Sequence, residues 1–196
     1  HSFDALLGYT IQKENIDQNA ISATNFPNDQ IKTISAAGAI TTATSIKQEW
    51  ALLSYLARLN YSFDNKYLLT ATLRTDGSSR FGADNRYGVF PSVSLGWRIS
   101  EEGFLKDIEQ IDDISFRASY GIAGEVPRYD YLFYNTYNTY DYSYLDQAGI
   151  YPSRMELKNL RWQTLRGTNV GYNVSLYKGR IRMDGEVYRN RTKDLF

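Results

Sequence analysis

Few residues in this chain are of the types that carry out catalysis. There are no cysteines, and the single histidine is residue 1, so the chain cannot supply a thiolate nucleophile, a Ser-His-Asp triad or a multi-histidine zinc site. Asp76 and Asp184 do not form a credible acid–base pair, because nothing in the sequence places them at the separation that a glycosidase needs. We therefore predict a protein that is not an enzyme and that has no catalytic residues, metal site or cofactor.

A short glycine-containing stretch follows Asp76, in the order Asp-Gly-Ser-Ser-Arg over residues 76–80. It lacks the glycine spacing and the Lys-Ser/Thr pair of a phosphate-binding loop, and no helical pattern follows it. This composition indicates the end of a strand and a turn. Nucleic acid is not a predicted partner, because 22 basic residues balance 22 acidic ones and leave no bulk positive field.

Arginine residues form the first group that suits ligand binding. Arg74, Arg98 and Arg117 fall on the polar rows of predicted strands, where they are candidate ligand-binding residues. The same rows carry the acidic residues Asp76, Asp184 and Glu186. Ion pairing among these side chains, or with another part of the protein, is the alternative role and the more common one for such residues.

Tyrosines form the second group. The segment 129–144 holds seven tyrosines and Phe133. These rings could stack on a ligand or pack against a partner, with Tyr137, Tyr140 and Tyr142 as the candidate ligand-binding residues. The composition is also typical of the aromatic girdle and upper rim of a membrane β-barrel, which is the more common role for such residues, so both interpretations stay open.

The elements that hold these residues are predicted to be β-strands, because apolar and polar residues alternate with a period of two. Seven strands are predicted, and their apolar rows contain no charged residue. The rows run over residues 3–11, 51–63, 67–75, 89–99, 114–120, 170–176 and 181–187. A lipid-facing row excludes charge because a cation at mid-bilayer costs roughly 2–4 kcal/mol, although a soluble antiparallel sandwich with one wet face gives the same alternation.

Connection lengths favour the membrane alternative. Residues 64–65 and 178–179 predict tight turns, whereas 13–49 and 122–167 predict long loops at the opposite end of the sheet. Short periplasmic turns and long extracellular loops are typical of outer-membrane barrels. A compact soluble domain rarely carries two structureless loops of such length.

Three further residues mark special positions. Trp97 and Trp162 are predicted to be anchors at the membrane interface, and Pro91 predicts a bulge or a locally unpaired edge within its strand.

The mean hydropathy of −0.47 is that of a soluble chain, but alternating barrel strands average to polar values.

The segment 74–100 resembles the signature of a known family. Residues 74–82 read Arg-Thr-Asp-Gly-Ser-Ser-Arg-Phe-Gly, and residues 85–100 read Asn-Arg-Tyr-Gly-Val-Phe-Pro-Ser-Val-Ser-Leu-Gly-Trp-Arg-Ile-Ser. Both are similar to the signature of SusC/RagA-type, TonB-dependent outer-membrane transporters. Further similar stretches lie at 49–61, 102–105, 117–121 and 192–195. The family usually reads Gly-Asn where this chain has Gly124-Glu125, and the loops match no family pattern.

This resemblance implies an all-β fold, an antiparallel transmembrane β-barrel segment with about seven strands of a plugged barrel of roughly 22 strands. Residues 1–196 would belong to a single TonB-dependent receptor β-barrel domain, without the plug domain and the TonB-contacting segment. The implied function is active import of oligosaccharides or peptides across the outer membrane of a Gram-negative bacterium. The implied partners are outer-membrane lipid, a SusD-like surface lipoprotein as lid, and TonB, which would act through the missing N-terminal region.

A soluble or surface-exposed β-sandwich that binds glycan through the tyrosine-rich segment is the alternative interpretation. The two proteins would differ in whether detergent is needed to keep them in solution. The choice between glycan and peptide does not follow from the sequence, because the segments that would choose a substrate carry no recognisable pattern.

Overall fold

The computed structural model describes residues 1–31, 33–145 and 147–195, except for the side chains at 141–144 and 148. These residues form a seven-stranded antiparallel sheet and a separate two-stranded sheet. The strands are β1 (Ser2–Thr24), β2 (Ala39–Phe63), β3 (Tyr67–Ser78), β4 (Tyr87–Arg98), β5 (Ile111–Glu125), β6 (Thr136–Tyr144), β7 (Gln147–Arg154), β8 (Gln163–Leu176) and β9 (Ile181–Lys193). No helix in the described residues is long and apolar enough to cross a membrane.

The large sheet has the order β1-β2-β3-β4-β5-β8-β9. Each strand pairs with its neighbour in the chain, except that the β6–β7 hairpin is inserted between β5 and β8. The prediction of an antiparallel all-β segment with seven sheet strands is therefore confirmed.

The register joins the predicted apolar rows into one continuous face, which we call the outer face. Leu69 on β3 lies opposite Tyr61 on β2 and Leu95 on β4. Leu95 lies opposite Ala118 on β5, which in turn lies opposite Val170 on β8. Leu95 is 55% exposed and Val170 is 52% exposed, so this face is not covered by the rest of the chain. The opposite, polar face is called the inner face.

The predicted long loop at 13–49 is wrong in its extent. β1 continues to Thr24, β2 begins at Ala39, and only residues 25–38 connect them. In the added part, polar and charged residues such as Lys13, Asp17 and Lys47 take the place of the apolar row. The period-two signal therefore disappears while the backbone pairing continues.

The predicted loop at 122–167 is also wrong in part. β5 continues to Glu125, β8 begins at Gln163, and the β6–β7 hairpin lies between them. Tyrosine suits both wet and apolar surroundings, so a tyrosine-rich strand can place rings on both faces and shows no clear alternation.

The buried apolar cluster lies at the end of the sheet that carries the long connections. It consists of Phe81, Phe90 and Trp162. The Trp162 ring centroid lies 4.8 Å from that of Phe81 and 5.2 Å from that of Phe90, and Trp162 Nε1 donates a hydrogen bond of 3.3 Å to the carbonyl of Arg86. The prediction of Trp162 as an interface anchor is wrong, because the residue is 7% exposed and packs in this cluster.

Pro91 lies where β4 and β5 separate. It pairs with Leu73 on the β3 side, whereas pairing with β5 begins only at Ser92. The predicted unpaired edge at Pro91 is thus confirmed. The ring of Phe90, the residue before Pro91, fills the space beside Gly124, so a side chain at position 124 would overlap this ring.

Candidate functional site

Arg74 forms an ion pair on the inner face. Its Nε donates to both carboxylate oxygens of Asp76, at 2.7 and 2.8 Å, and a terminal nitrogen donates to Ser54 Oγ at 3.3 Å. Asp76 and Ser54 are buried, at 6% and 4% exposed. This guanidinium is therefore fixed by neighbours on its own sheet.

Arg98 and Arg117 are paired as well, at other heights of the inner face. Arg98 lies 3.4 Å from an Asp113 oxygen and 3.7 Å from a Glu101 oxygen. Arg117 donates to Glu186 at 3.0 Å. The three predicted arginines thus lie apart, and each has a carboxylate partner that an anionic ligand would have to displace. Ligand binding by these three arginines remains a prediction.

Arg80 links the connection between β3 and β4 to the connection between β5 and β6. Its Nε lies 2.5 Å from Asp130 Oδ1, and a terminal nitrogen donates to the Pro127 carbonyl at 3.1 Å. Its guanidinium carbon also lies 4.6 Å from the centroid of the Trp50 ring, a cation–π distance. The side chains of Arg80 and Asp130 are only 16% and 6% exposed, so this pair is largely desolvated.

Both connections are also attached to the upper part of β2. The Ala51 amide donates to Ser79 Oγ at 2.8 Å, and the Ser79 amide donates to the Ala51 carbonyl at 3.0 Å. The Tyr131 hydroxyl accepts from the Glu49 amide at 3.0 Å and donates to the Glu49 carbonyl at 3.2 Å. The signature residues 76–81 thus end a strand and form a turn, as predicted, and they hold the connections together. We call this assembly of residues 79–86 and 126–135 the loop knot.

The predicted tyrosines do not form one surface. The rings of Tyr140 and Tyr151 lie 4.7 Å apart, and Asn138 lies opposite Tyr151, so these three residues share one face of the β6–β7 hairpin. Tyr137 lies opposite Pro152 and belongs to the other face. The side chain of Tyr142 lies outside the described residues.

The face with Asn138, Tyr140 and Tyr151 is called the tyrosine face. Tyr140 is 55% exposed and Tyr151 is 37% exposed. Two adjacent half-exposed rings next to an amide can stack on a flat or apolar part of a ligand and donate or accept hydrogen bonds at its edge. Tyr151 was not predicted, because only strand pairing across the hairpin brings it beside Tyr140.

The hairpin is tied to the loop knot at its base. Arg154 donates to the Tyr131 carbonyl at 2.9 Å, the Glu156 amide donates to Asn135 Oδ1 at 2.8 Å, and the Leu157 amide donates to the Leu132 carbonyl at 3.1 Å. The hairpin that carries the tyrosine face is therefore fixed to the loop knot by these hydrogen bonds.

A hydrogen-bonded cluster around one carboxylate, that of Glu102, lies at the opposite end of the sheet, beside the short turns. Glu102 accepts hydrogen bonds from the Tyr67 hydroxyl at 2.7 Å, from Trp97 Nε1 at 3.1 Å and from Lys66 Nζ at 3.3 Å. The rings of Tyr67 and Trp97 stack with their centroids 6.4 Å apart. The hydrogen bond from Tyr67, followed by that from Trp97, lowers the pKa of Glu102 below its ordinary value.

The lowered pKa of Glu102 predicts a pH-dependent contribution to stability. The hydrogen-bonded carboxylate stabilises the folded chain fully above the ordinary glutamate pKa of about 4.3, and this contribution is lost as the pH falls through the lowered value. The variant E102Q should therefore lose less thermal stability than the parent on acidification across this range. The test compares the unfolding temperatures of the two full-length receptors at several pH values; parallel curves would contradict it.

Comparison with known proteins matches residues 2–196 to the family described as TonB dependent receptor-like, beta-barrel. The chain belongs to this family. The family and the seven-stranded antiparallel sheet together replace the β-sandwich alternative.

Two relatives of this receptor segment are TonB-dependent receptors. It is 35% identical to TonB-dependent receptor P39 of Formosa agariphila, over all of this chain and 19% of that protein. It is 40% identical to TonB-dependent receptor SusC of Bacteroides thetaiotaomicron, over 74% of this chain and 15% of that protein. The receptor segment therefore spans less than a fifth of the length of either relative. Both are receptors, in agreement with the prediction that the chain is not an enzyme.

Solved structures agree with this assignment. The RagAB peptide transporter matches with a TM-score of 0.89 and 25% identity, over 98% of this chain and 22% of that chain. The RagAB peptide importer in its open-open state matches with a TM-score of 0.86, over 97% of this chain and 21% of that chain. The sheet described above is thus a barrel segment of a TonB-dependent receptor.

Proposed function

We propose that this receptor segment forms part of the barrel of an active importer in the outer membrane of a Gram-negative bacterium. The importer takes up oligosaccharides or peptides with energy delivered through TonB, and a SusD-like surface lipoprotein serves as its lid. The single observation that carries the proposal is the continuous band of charge-free apolar rows on the outer face, within a chain that matches TonB-dependent receptors along its length.

The dimensions of the outer face support a position in the bilayer. A tilted membrane strand needs about 9–11 residues, and the apolar row of β4 extends from Val89 to Trp97, between Tyr87 at one end and the Glu102 cluster at the other. The inner face carries the ion pairs of Arg74, Arg98 and Arg117, which suits a polar lumen. In this orientation the turns after β2 and β8 are periplasmic, and the loop knot is extracellular.

The two faces of the β6–β7 hairpin support two kinds of contact. The tyrosine face, with Tyr140 and Tyr151 beside Asn138, has the chemistry to stack on a sugar ring or on an apolar side chain of a peptide. On the other face Tyr137 and Ile150 are 57% and 65% exposed, which suits an apolar contact with a protein lid. RagAB, whose barrel matches this segment, is a peptide transporter.

The transport proposal is tested on the full-length receptor in its own cells. Uptake of labelled oligosaccharides and of labelled peptides is measured with the receptor present, with it deleted, and with TonB removed. Loss of uptake of one substrate class in both deletions is the expected result. Uptake that depends on neither gene for either class would refute the proposal.

The substrate role of the tyrosine face is tested by the double variant Y140A/Y151A. Each stacked ring contributes on the order of 0.5–1.5 kcal/mol beyond simple burial, so removing both should weaken uptake at limiting substrate by roughly tenfold. Uptake is normalised to the amount of folded barrel. Y129A is the matched control, since Tyr129 is 69% exposed and lies outside the hairpin.

The alternative role of these tyrosines, as rings at the membrane interface, predicts the reverse pattern. The double variant would then lower the yield or heat resistance of the folded barrel and leave normalised uptake unchanged. That outcome would end the substrate role of the tyrosine face while leaving the transport proposal intact.

A further inference from the structure

Four cationic side chains lie on the outer face of β8 and β9, directly beyond the apolar row. Val170 and Val187 are opposite one another on the outer face, and alternation along each strand places every second residue on the same side. The next outer-face pairs towards the extracellular end are Thr168 with Arg189, Arg166 with Arg191, and Thr164 with Lys193. We call Arg166, Arg189, Arg191 and Lys193 the basic cluster.

The height of the basic cluster corresponds to the outer boundary of the bilayer. Arg166 lies ten positions along β8 from Leu176, and Arg191 lies ten positions along β9 from Ile181. Leu176 and Ile181 border the short turn between these strands. Arg189, the first residue of the cluster, lies eight positions from Ile181. Because a membrane strand needs about 9–11 residues, the cluster lies at the outer edge of the hydrocarbon, where cations cost at most about 1 kcal/mol.

The basic cluster is not neutralised within the described chain. Arg166 and Arg191 lie directly opposite one another, an arrangement that is destabilising for like charges on one face of a sheet. All four side chains are exposed. Among the described residues, none of the four forms an ion pair.

The corresponding part of β1 and β2 shows a different charge pattern. Lys13 lies 3.7 Å from Glu49, and Lys47 lies 3.4 Å from Asp17. These charges also lie beyond the apolar row on the outer face, yet each cation has its own carboxylate. The excess of positive charge is therefore specific to β8 and β9 within this sheet.

We propose that the basic cluster binds the phosphate groups of an anionic, phosphorylated lipid in the outer leaflet. This rests on the proposed function, since it requires that the outer face lies in the membrane. Arginine guanidinium groups bind phosphate oxygens through paired hydrogen bonds, and a phosphate between Arg166 and Arg191 relieves their repulsion. The apolar row from Val170 to Leu176 continues below the cluster and receives the acyl chains, which favours a lipid over a free anion.

The test uses the full-length receptor in vesicles of phosphatidylcholine containing labelled lipid A, a phosphorylated glycolipid. Each cation near an anionic membrane surface changes binding roughly fivefold, so R166Q/R191Q should weaken lipid A binding by roughly 25-fold. K47Q is the matched control: it removes one outer-face cation, but from a residue paired with Asp17. It should change lipid A binding little.

A second measurement separates lipid binding from a structural role. R166Q removes a like-charge contact, so it should raise the unfolding temperature in neutral detergent and reduce the stabilisation that added lipid A gives to the parent. Unchanged lipid A binding in R166Q/R191Q, or equal stabilisation of the parent by inorganic phosphate alone, would overturn the lipid proposal. A receptor that remains soluble without detergent would instead refute the membrane location itself.

Discussion

Replacing Leu95 by arginine is expected to prevent assembly of the folded receptor in the outer membrane. Leu95 lies in the apolar row of β4, one row position from Trp97, between Leu69 on β3 and Ala118 on β5. A cation on the lipid face costs up to roughly 2–4 kcal/mol at mid-bilayer, and folded proteins have only about 5–15 kcal/mol of stability in total. Assembly is measured on the full-length receptor as heat-modifiable migration of the barrel in membrane fractions.

The neighbouring residue supplies the control for this prediction. Ser94 lies opposite Thr70 and Ser119 on the inner face, where a polar lumen accepts charge. The variant S94R should therefore assemble close to the parental level. If S94R and L95R assembled equally well, the assignment of the outer face to lipid would be wrong.

The second large effect is expected from removing Asp130 in the loop knot. Breaking a buried ion pair by deletion of one partner costs about 3–5 kcal/mol, because the remaining charge is left uncompensated. D130A should therefore release the segment 126–162 from the sheet while leaving the barrel folded. Limited proteolysis of intact cells reports the release as new cleavage within this segment.

Two further variants make this result specific. D184A removes an exposed inner-face carboxylate that has no ion pair in the described residues, and it should leave cleavage unchanged. The pair R80M/D130L removes both charges together and should cost less than D130A alone. Equal cleavage in D130A and D184A would show that the Arg80–Asp130 pair does not hold the loop knot.

The sequence predicted the sheet well wherever one face is apolar and the other polar. The apolar rows around Leu69, Leu95 and Val170 fell on one face because a lipid-facing surface tolerates no charge there. Prediction failed where both faces carry polar residues, as in the parts of β1 and β2 beyond Gln12 and before Ala51, because the hydrophobic period is then absent. Trp162 was misassigned for a related reason, since the sequence gives no sign that a connection folds back onto Phe81 and Phe90.

The candidate site was predictable only where its contacts are local. Arg74 and Asp76 are two positions apart on one strand, and alternation alone places them on one face. Arg98 contacts Asp113 at the irregular start of β5, where the register shifts between Ile111 and Asp113. No periodic pattern predicts such a contact, and the same holds for Tyr140 and its partner across the hairpin.

The length of the β1–β2 hairpin has a mechanical consequence. From the Lys13–Glu49 pair to Thr24, β1 extends by roughly 36 Å at about 3.3 Å per residue, so the hairpin is a lever whose fulcrum lies at the level of Glu49 and Ala51. The loop knot is hydrogen-bonded at this fulcrum, through Tyr131 and Ser79. A lateral force on the distal tip of the hairpin would therefore exert a torque on the hydrogen bonds of Tyr131 and Ser79 with β2, far from the point of contact.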